Sequence, residues 1–104
     1  MTLKTTVFDP AKYLTGREVQ QELLDEAFET GDPAFILNVL GIVARAQGIS
    51  ATAKKAGVTR EALHKALSPE GNPTLATLLG VTKALGYRLS LTPLDAIARN
   101  EAAE

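Results

Sequence analysis

The sequence predicts a single all-α domain of about five helices, with one short C-terminal β-strand. Three observations carry that expectation. Apolar residues recur at helical spacing, most clearly Ile36, Val39, Leu40 and Val43 at i, i+3, i+4 and i+7. Helix start and stop signals cut the chain into short segments. Only Tyr87-Arg88-Leu89-Ser90-Leu91-Thr92 alternates apolar and polar residues. The chain has 104 residues, 45% hydrophobic and 22% charged, which suits one core and argues against wholesale disorder.

The elements follow in order. Asp9-Pro10 sets an N-cap residue before a proline at the first helical position, predicting a short turn of helix from Pro10 to Leu14. Thr15 stands three residues before Glu18, the spacing of a capping box. Val19, Leu23, Ala27, Leu24 and Phe28 then predict a helix ending near Thr30-Gly31. Asp32-Pro33 repeats the start signal, and the next helix runs from about Pro33 to Gln47, closed by Gly48. Ser50 is placed to cap a short helix through Ala56. Gly57 breaks it, and Thr59 caps the next through Leu67.

Ser68-Pro69-Glu70-Gly71-Asn72-Pro73 is a loop by composition. Thr74 caps a helix with Leu75, Leu78, Leu79, Val81, Thr82 and Leu85 near its apolar side, and Gly86 ends it. The strand Tyr87–Thr92 stops at Pro93. A lone strand needs a partner. Thr5-Thr6-Val7-Phe8 is one option, and the same edge on a second subunit is the other. Leu94 and Ile97 open a tail that ends polar. Phe28, Phe35 and Tyr87 read as core.

Composition removes several function classes. With no cysteine, disulfides, thiolate catalysis and thiolate metal sites are excluded, and one histidine excludes a His-rich site. No nucleophile–base arrangement, phosphate-cradling glycine loop or carboxylate pair with a role is present, so the chain is not expected to be an enzyme or to need a cofactor. Met1 to Pro10 lack a secretory h-region, and no apolar run approaches membrane-spanning length. A cytoplasmic location is the expectation.

The net charge of -1 is an average over unlike parts. Residues 1–34, an N-terminal acidic helical extension, carry net -4. Residues 35–67 carry Arg45, Lys54, Lys55, Arg60 and Lys65 against Glu61 alone, net +4. Residues 68–104 carry net -1. Such asymmetry points to an electrostatic partner on the middle third, a solvated helix face being the plainer alternative.

That basic block coincides with helix-turn-helix spacing. Ala53 lies four residues before Gly57, where crossing helices need a small side chain, and Val58 and Leu63 fall at inward positions. In such a unit the second helix meets the major groove. Its first turns carry Thr59, Arg60, Glu61, His64 and Lys65. Arg60 suits guanine O6 and N7, Glu61 suits cytosine N4, and Lys65 suits guanine or a phosphate. Ser50, Lys54, Lys55 and Arg45 suit phosphates, which orient without reading sequence. Each has a plainer reading. His64 could be half-buried core, and Glu61 a helix-start carboxylate favoured by the dipole. Asn72 could belong to an Asn-Pro turn or touch a phosphate. The acidic face Glu22, Asp25, Glu26 and Glu29 is a second candidate surface, or a solvated one.

The segment from Gly48 to Gly86 resembles the lambda-repressor-like, Xre/Cro-type helix-turn-helix domain. Gly48-Ile49-Ser50, the run Gly57-Val58-Thr59-Arg60-Glu61-Ala62-Leu63-His64-Lys65-Ala66-Leu67-Ser68-Pro69, Gly71-Asn72-Pro73-Thr74 and Lys83-Ala84-Leu85-Gly86-Tyr87-Arg88-Leu89 resemble, more specifically, the HigA-like addiction-module antidote proteins. Phe8-Asp9, Tyr13-Leu14 and Gly31-Asp32-Pro33 extend the resemblance to about Thr5–Leu91. The chain departs from the broader Xre pattern in two places. It has Ile49 or Ser50 where a glutamine often stands, and Thr52 where a large aliphatic residue is preferred.

The resemblance implies an antitoxin of a type II toxin–antitoxin pair. Such a protein binds double-stranded operator DNA as a homodimer, represses its own operon and neutralises a RelE/ParE-type toxin. The family's recognition-helix positions fall on Thr59, Arg60, Glu61, His64 and Lys65. A stand-alone Xre-type repressor without a toxin, and a helical adaptor that never touches DNA, are the alternatives. The expected organisation is one domain over 1–104: the acidic extension 1–34, the helix-turn-helix DNA-binding part 35–86, and the strand and tail 87–104.

Overall fold

A computed structural model describes residues 16–95. Five helices follow one another: α1 (Arg17–Thr30), α2 (Pro33–Gln47), α3 (Ile49–Ala56), α4 (Arg60–Ala66) and α5 (Leu75–Ala84). α2 is the central element, packed by α1 on one side and continued into α3, which lies mainly on α5. The buried core draws Leu24 and Ala27 from α1, Leu37, Val39, Leu40, Val43 and Ala44 from α2, Ala53, Leu63 and Leu67 from the middle segment, and Val81 and Leu85 from α5. No single helix among the described residues is long and apolar enough to cross a membrane.

The boundaries of α2 are those expected. The Asp32 carboxylate accepts from the Ala34 N–H at 3.2 Å, Pro33 occupies the first helical position, and the Gly48 N–H donates to the Ala44 carbonyl. Gly48 has φ 113, and there the chain turns through 108° into α3. Gly48 is also the N-cap of α3, with no side-chain cap. Ser50 therefore does not cap this helix as expected; it sits exposed within the first turn. Thr52 is buried, and its hydroxyl donates to the Gly48 carbonyl at 2.8 Å, which satisfies a polar group at a core-facing place.

α1 departs further from expectation. Its N-cap is Gly16, which has no side chain with which to accept, whereas the expected capping box begins at Thr15, outside the described residues. Its inward face is Gln20, Leu24 and Ala27, while Val19 is 44% and Phe28 38% exposed. The helix is thus rotated by about one residue from the face that apolar spacing predicts. The cause is polar: Gln47 Nε2 donates to Gln20 Oε1 at 2.9 Å and to the Leu85 carbonyl at 3.0 Å, joining α1, α2 and the end of α5. Phe35 is 39% exposed, so neither it nor Phe28 is core.

α5 begins at a Thr74 cap, whose hydroxyl oxygen accepts from the Thr77 N–H at 3.1 Å. Val81, Thr82 and Leu85 face inward, but Leu75 and Leu79 stay largely exposed, at the flank of the predicted apolar side. The helix ends in a Schellman motif: Gly86, at φ 96, donates to the Lys83 carbonyl and Tyr87 to the Thr82 carbonyl. Tyr87 is half-buried against the core, with the Arg17 guanidinium 5.1 Å from its ring centroid. Its hydroxyl is buried with no hydrogen-bond partner among the described residues.

The expected C-terminal strand is not formed. Residues 87–93 are neither helix nor paired strand, because no described segment lies alongside to complete a ladder. The other proposed partner, Thr5–Phe8, and the turn of helix at Pro10–Leu14 fall outside the described residues.

Candidate nucleic-acid interface

The turn between α3 and α4 is built by Gly57, whose φ of 77 is left-handed. Its N–H donates to the Lys54 carbonyl at 3.2 Å, and the Val58 N–H donates to the Ala53 carbonyl at 3.0 Å. These bonds close α3 in a second Schellman motif. Ala53 is buried, and Val58 packs on the core. α4 opens at Thr59, whose hydroxyl oxygen accepts from the Ala62 N–H at 3.0 Å. Leu63, with no exposed surface, and Leu67 pin the helix to the body.

Anchoring through Leu63 turns the rest of α4 outward. Thr59, Arg60, Glu61, His64 and Lys65 are all exposed. Ser50, Lys54 and Lys55 are exposed on α3, and Arg45 is exposed in the last turn of α2. His64 is therefore not a half-buried core residue. The structure brings it together with Arg45, Asn38 and Ser68 around a shallow cleft of about 210 Å³ between α2 and α4. Sequence reasoning did not single out Asn38 or Ser68 as neighbours of this surface. The available signal for Asn38 was its standing as the lone polar residue between Pro33 and Arg45.

The chemistry of the surface follows. Arg60 offers a planar fork of donors, Lys54, Lys55 and Lys65 offer mobile ammonium groups, and Glu61 accepts. The Thr59 oxygen accepts within the cap, which leaves its own O–H as a donor. The His64 ring presents one donor and one acceptor when neutral.

The loop after α4 is fixed by close approach. The Ser68 hydroxyl donates to the Lys65 carbonyl at 2.9 Å, and the Gly71 N–H donates to the Ser68 carbonyl at 2.8 Å. A Cβ on Gly71 would clash with the Ala66 carbonyl oxygen and lie 2.8 Å from that of Lys65. Only glycine fits, so Gly71 seals the end of α4. Asn72 is exposed beside it.

The second candidate surface is α1. Glu18, Glu22, Asp25, Glu26 and Glu29 are all exposed, at i, i+4, i+7, i+8 and i+11, opposite the buried stripe Gln20, Leu24 and Ala27.

Comparison with known proteins adds two similarities. A family model described as a probable addiction module antidote protein matches residues 4–93. A Haemophilus influenzae protein, described as an uncharacterized protein, is 43% identical over 91 residues, covering 88% of this chain and 94% of the relative. No solved structure matches.

Proposed function

The chain belongs to the family of probable addiction module antidote proteins, and from that membership we propose that this antitoxin acts through two surfaces. The α3–α4 pair is a lambda-repressor-like, Xre/Cro-type helix-turn-helix that binds operator DNA. A homodimer bound there represses the operon that encodes it, in the manner of HigA-like antitoxins. The chain neutralises a RelE/ParE-type toxin in the cytoplasm and performs no catalysis.

One observation carries the DNA reading. The inward positions Ala53 and Leu63 are buried, while Ser50, Lys54, Lys55, Thr59, Arg60, Glu61, His64 and Lys65 all face solvent. A helix held only by its inward leucines presents a continuous polar side to a groove. Lys54 and Lys55 neutralise phosphates and set the register; Arg60 reads a base edge, with Glu61 and Lys65 beside it. The carboxylate stripe of α1 repels DNA and suits a basic protein, the charge expected of an RNA-cleaving toxin, whose encounter it would accelerate.

The test is titration of the full chain onto its own upstream DNA at several salt concentrations. Binding whose log affinity falls linearly with log salt is expected, with a slope of about -0.9 per neutralised phosphate. Absence of salt-sensitive binding overturns the DNA reading. Co-expression with the adjacent small reading frame tests the toxin: stable co-purification is expected, and an isolated gene or an uncomplexed neighbour favours a stand-alone repressor.

A further inference from the structure

α2 is enclosed on most of its circumference, and one stripe of it is open. Between Leu37 and Ala44 only Asn38 is exposed. Asn38, Gly41 and Arg45 stand at i, i+3 and i+7, on one side of the helix. A Cβ on Gly41 would meet the Leu67 carbonyl oxygen at 3.8 Å and Arg45 Nη1 at 3.9 Å. The Arg45 guanidinium is therefore folded back along α2, toward the end of α4. His64 stands on the facing flank of α4, one position past the buried Leu63. These side chains and Ser68 surround the cleft of about 210 Å³, over a floor that includes Gly41, Leu63 and Leu67.

The cleft is rich in donors, and no carboxylate lines it among the described residues. Glu70 lines the opposite flank of α4. Asn38 brings an amide NH2, Arg45 a planar fork of N–H groups, and His64 one ring N–H when neutral and two when protonated. The Ser68 hydroxyl proton is already given to the Lys65 carbonyl, so Ser68 adds an acceptor and no donor. Ile49, also in the lining, opens α3, whose N-cap Gly48 supplies no side-chain cap. The positive end of that helix dipole adds to the same field. The apolar floor strengthens each polar contact made above it. We propose that this cleft holds one phosphate group between Arg45 and the protonated ring of His64, with Asn38 donating beside them. A DNA backbone and a free phosphate monoester present the same chemistry to it. The site stands on the packing of α2 against α4 and does not require that α3 and α4 read DNA. Phosphate and proton bind together here, because the second N–H and the charge of the ring exist only after protonation. The charged groups around the ring are Arg45 across the cleft and Arg60, Glu61 and Lys65 on α4 itself; α3 and the turn at 68–69 bring none to the lining. By linkage, an anion that favours the protonated ring raises the pH at which the ring titrates, and a lower pH tightens the anion.

His64 is the one histidine of the chain, so its ring protons report alone in an NMR titration. The full chain is titrated between about pH 5 and 8, in chloride and in inorganic sulfate at equal ionic strength. Sulfate is a tetrahedral dianion whose charge is constant over that range. It should raise the His64 midpoint, the protonated form binding it at least about fivefold more tightly than the neutral form. Arg45→Ala should abolish that rise and Asn38→Ala should reduce it. Lys83→Ala, which removes an exposed cation on α5, should leave it unchanged. Equal midpoints in the two salts, or a rise that Arg45→Ala and Lys83→Ala alter alike, overturns the site. Upstream DNA then separates the two sources. DNA that displaces sulfate, and binds more tightly at about pH 6 than at about pH 8 in the wild type but not in His64→Gln, supports the site with the backbone as its ligand. DNA that binds without pH dependence and leaves the sulfate in place supports the site with the free anion as its ligand. A chain that binds no DNA and still shows the sulfate-raised midpoint overturns the operator reading and supports the cleft.

Discussion

Gln47 and Gln20, twenty-seven positions apart, share a hydrogen bond of 2.9 Å that also reaches the last carbonyl of the α5 turn, at Leu85, 3.0 Å from the same nitrogen. Gln20 is among the most buried polar residues of the molecule. Truncating Gln47 removes the donor that both acceptors share, so Gln47→Ala should cost about 1–3 kcal/mol. Gln20→Ala should cost less when Gln47 is already gone. A urea double-mutant cycle should therefore return a coupling of about 0.5–3 kcal/mol. Additive losses would mean that the amide pair does not hold α1 in place.

Three glycines should respond in opposite directions to alanine. Gly41 and Gly80 lie inside helices, where an added Cβ would meet its nearest neighbours at 3.8 Å and 3.6 Å, ordinary contact distances. Gly41→Ala and Gly80→Ala should each stabilise by about 0.5–1 kcal/mol, read as a higher urea midpoint with an unchanged slope. Gly71→Ala must push the chain off the Ala66 carbonyl and should destabilise by about 1–3 kcal/mol. It should also weaken operator binding beyond its loss of stability, because the end of α4 moves.

Tyr87→Phe removes a buried hydroxyl that has no hydrogen-bond partner among the described residues. The ring remains to pack on the core and under Arg17. The variant should be more stable by about 1 kcal/mol. In a domain of this size that corresponds to a rise of about 4–8 °C in Tm per kcal/mol. A lower Tm would show that the hydroxyl is bonded in solution.

Arg60→Ala should cost about 1–3 kcal/mol of specific affinity and relax the preference at one base position. Lys54→Ala and Lys55→Ala should instead weaken binding to all sequences alike, each lowering the salt slope by about one. Arg60→Ala that binds its operator like wild type would move the reading residue elsewhere on α4.

The sequence foretold the parts of this fold that are decided locally. Asp32, Pro33 and Gly48 bound α2 through bonds within a few residues, and Gly57, Thr59 and Thr74 act where the turn chemistry places them. What was misread depends on partners far along the chain. Val19 and Phe28 lost the inward face of α1 to Gln20, because Gln47 waits on the other side. Phe35 has the chemistry of a core residue but sits on the rim. The alternation in Tyr87–Thr92 is present, yet no neighbour in the described chain turns it into a ladder. The outward set on α4 was legible because Leu63 is its one large apolar side chain. The Arg45–His64 cleft was not, because it exists only once α2 and α4 are packed.

The bond from Gln47 to Leu85 and the packing of α3 on α5 also set a timetable for synthesis. A chain emerging from the ribosome can pair α1 with α2 as soon as Gln47 is out. The α3–α4 unit, though already made, lacks its supporting helix until Leu85 has followed. Competence to hold DNA should thus come late in translation. Nascent chains arrested before Leu85 should bury α1 against α2 yet leave α3 open to protease.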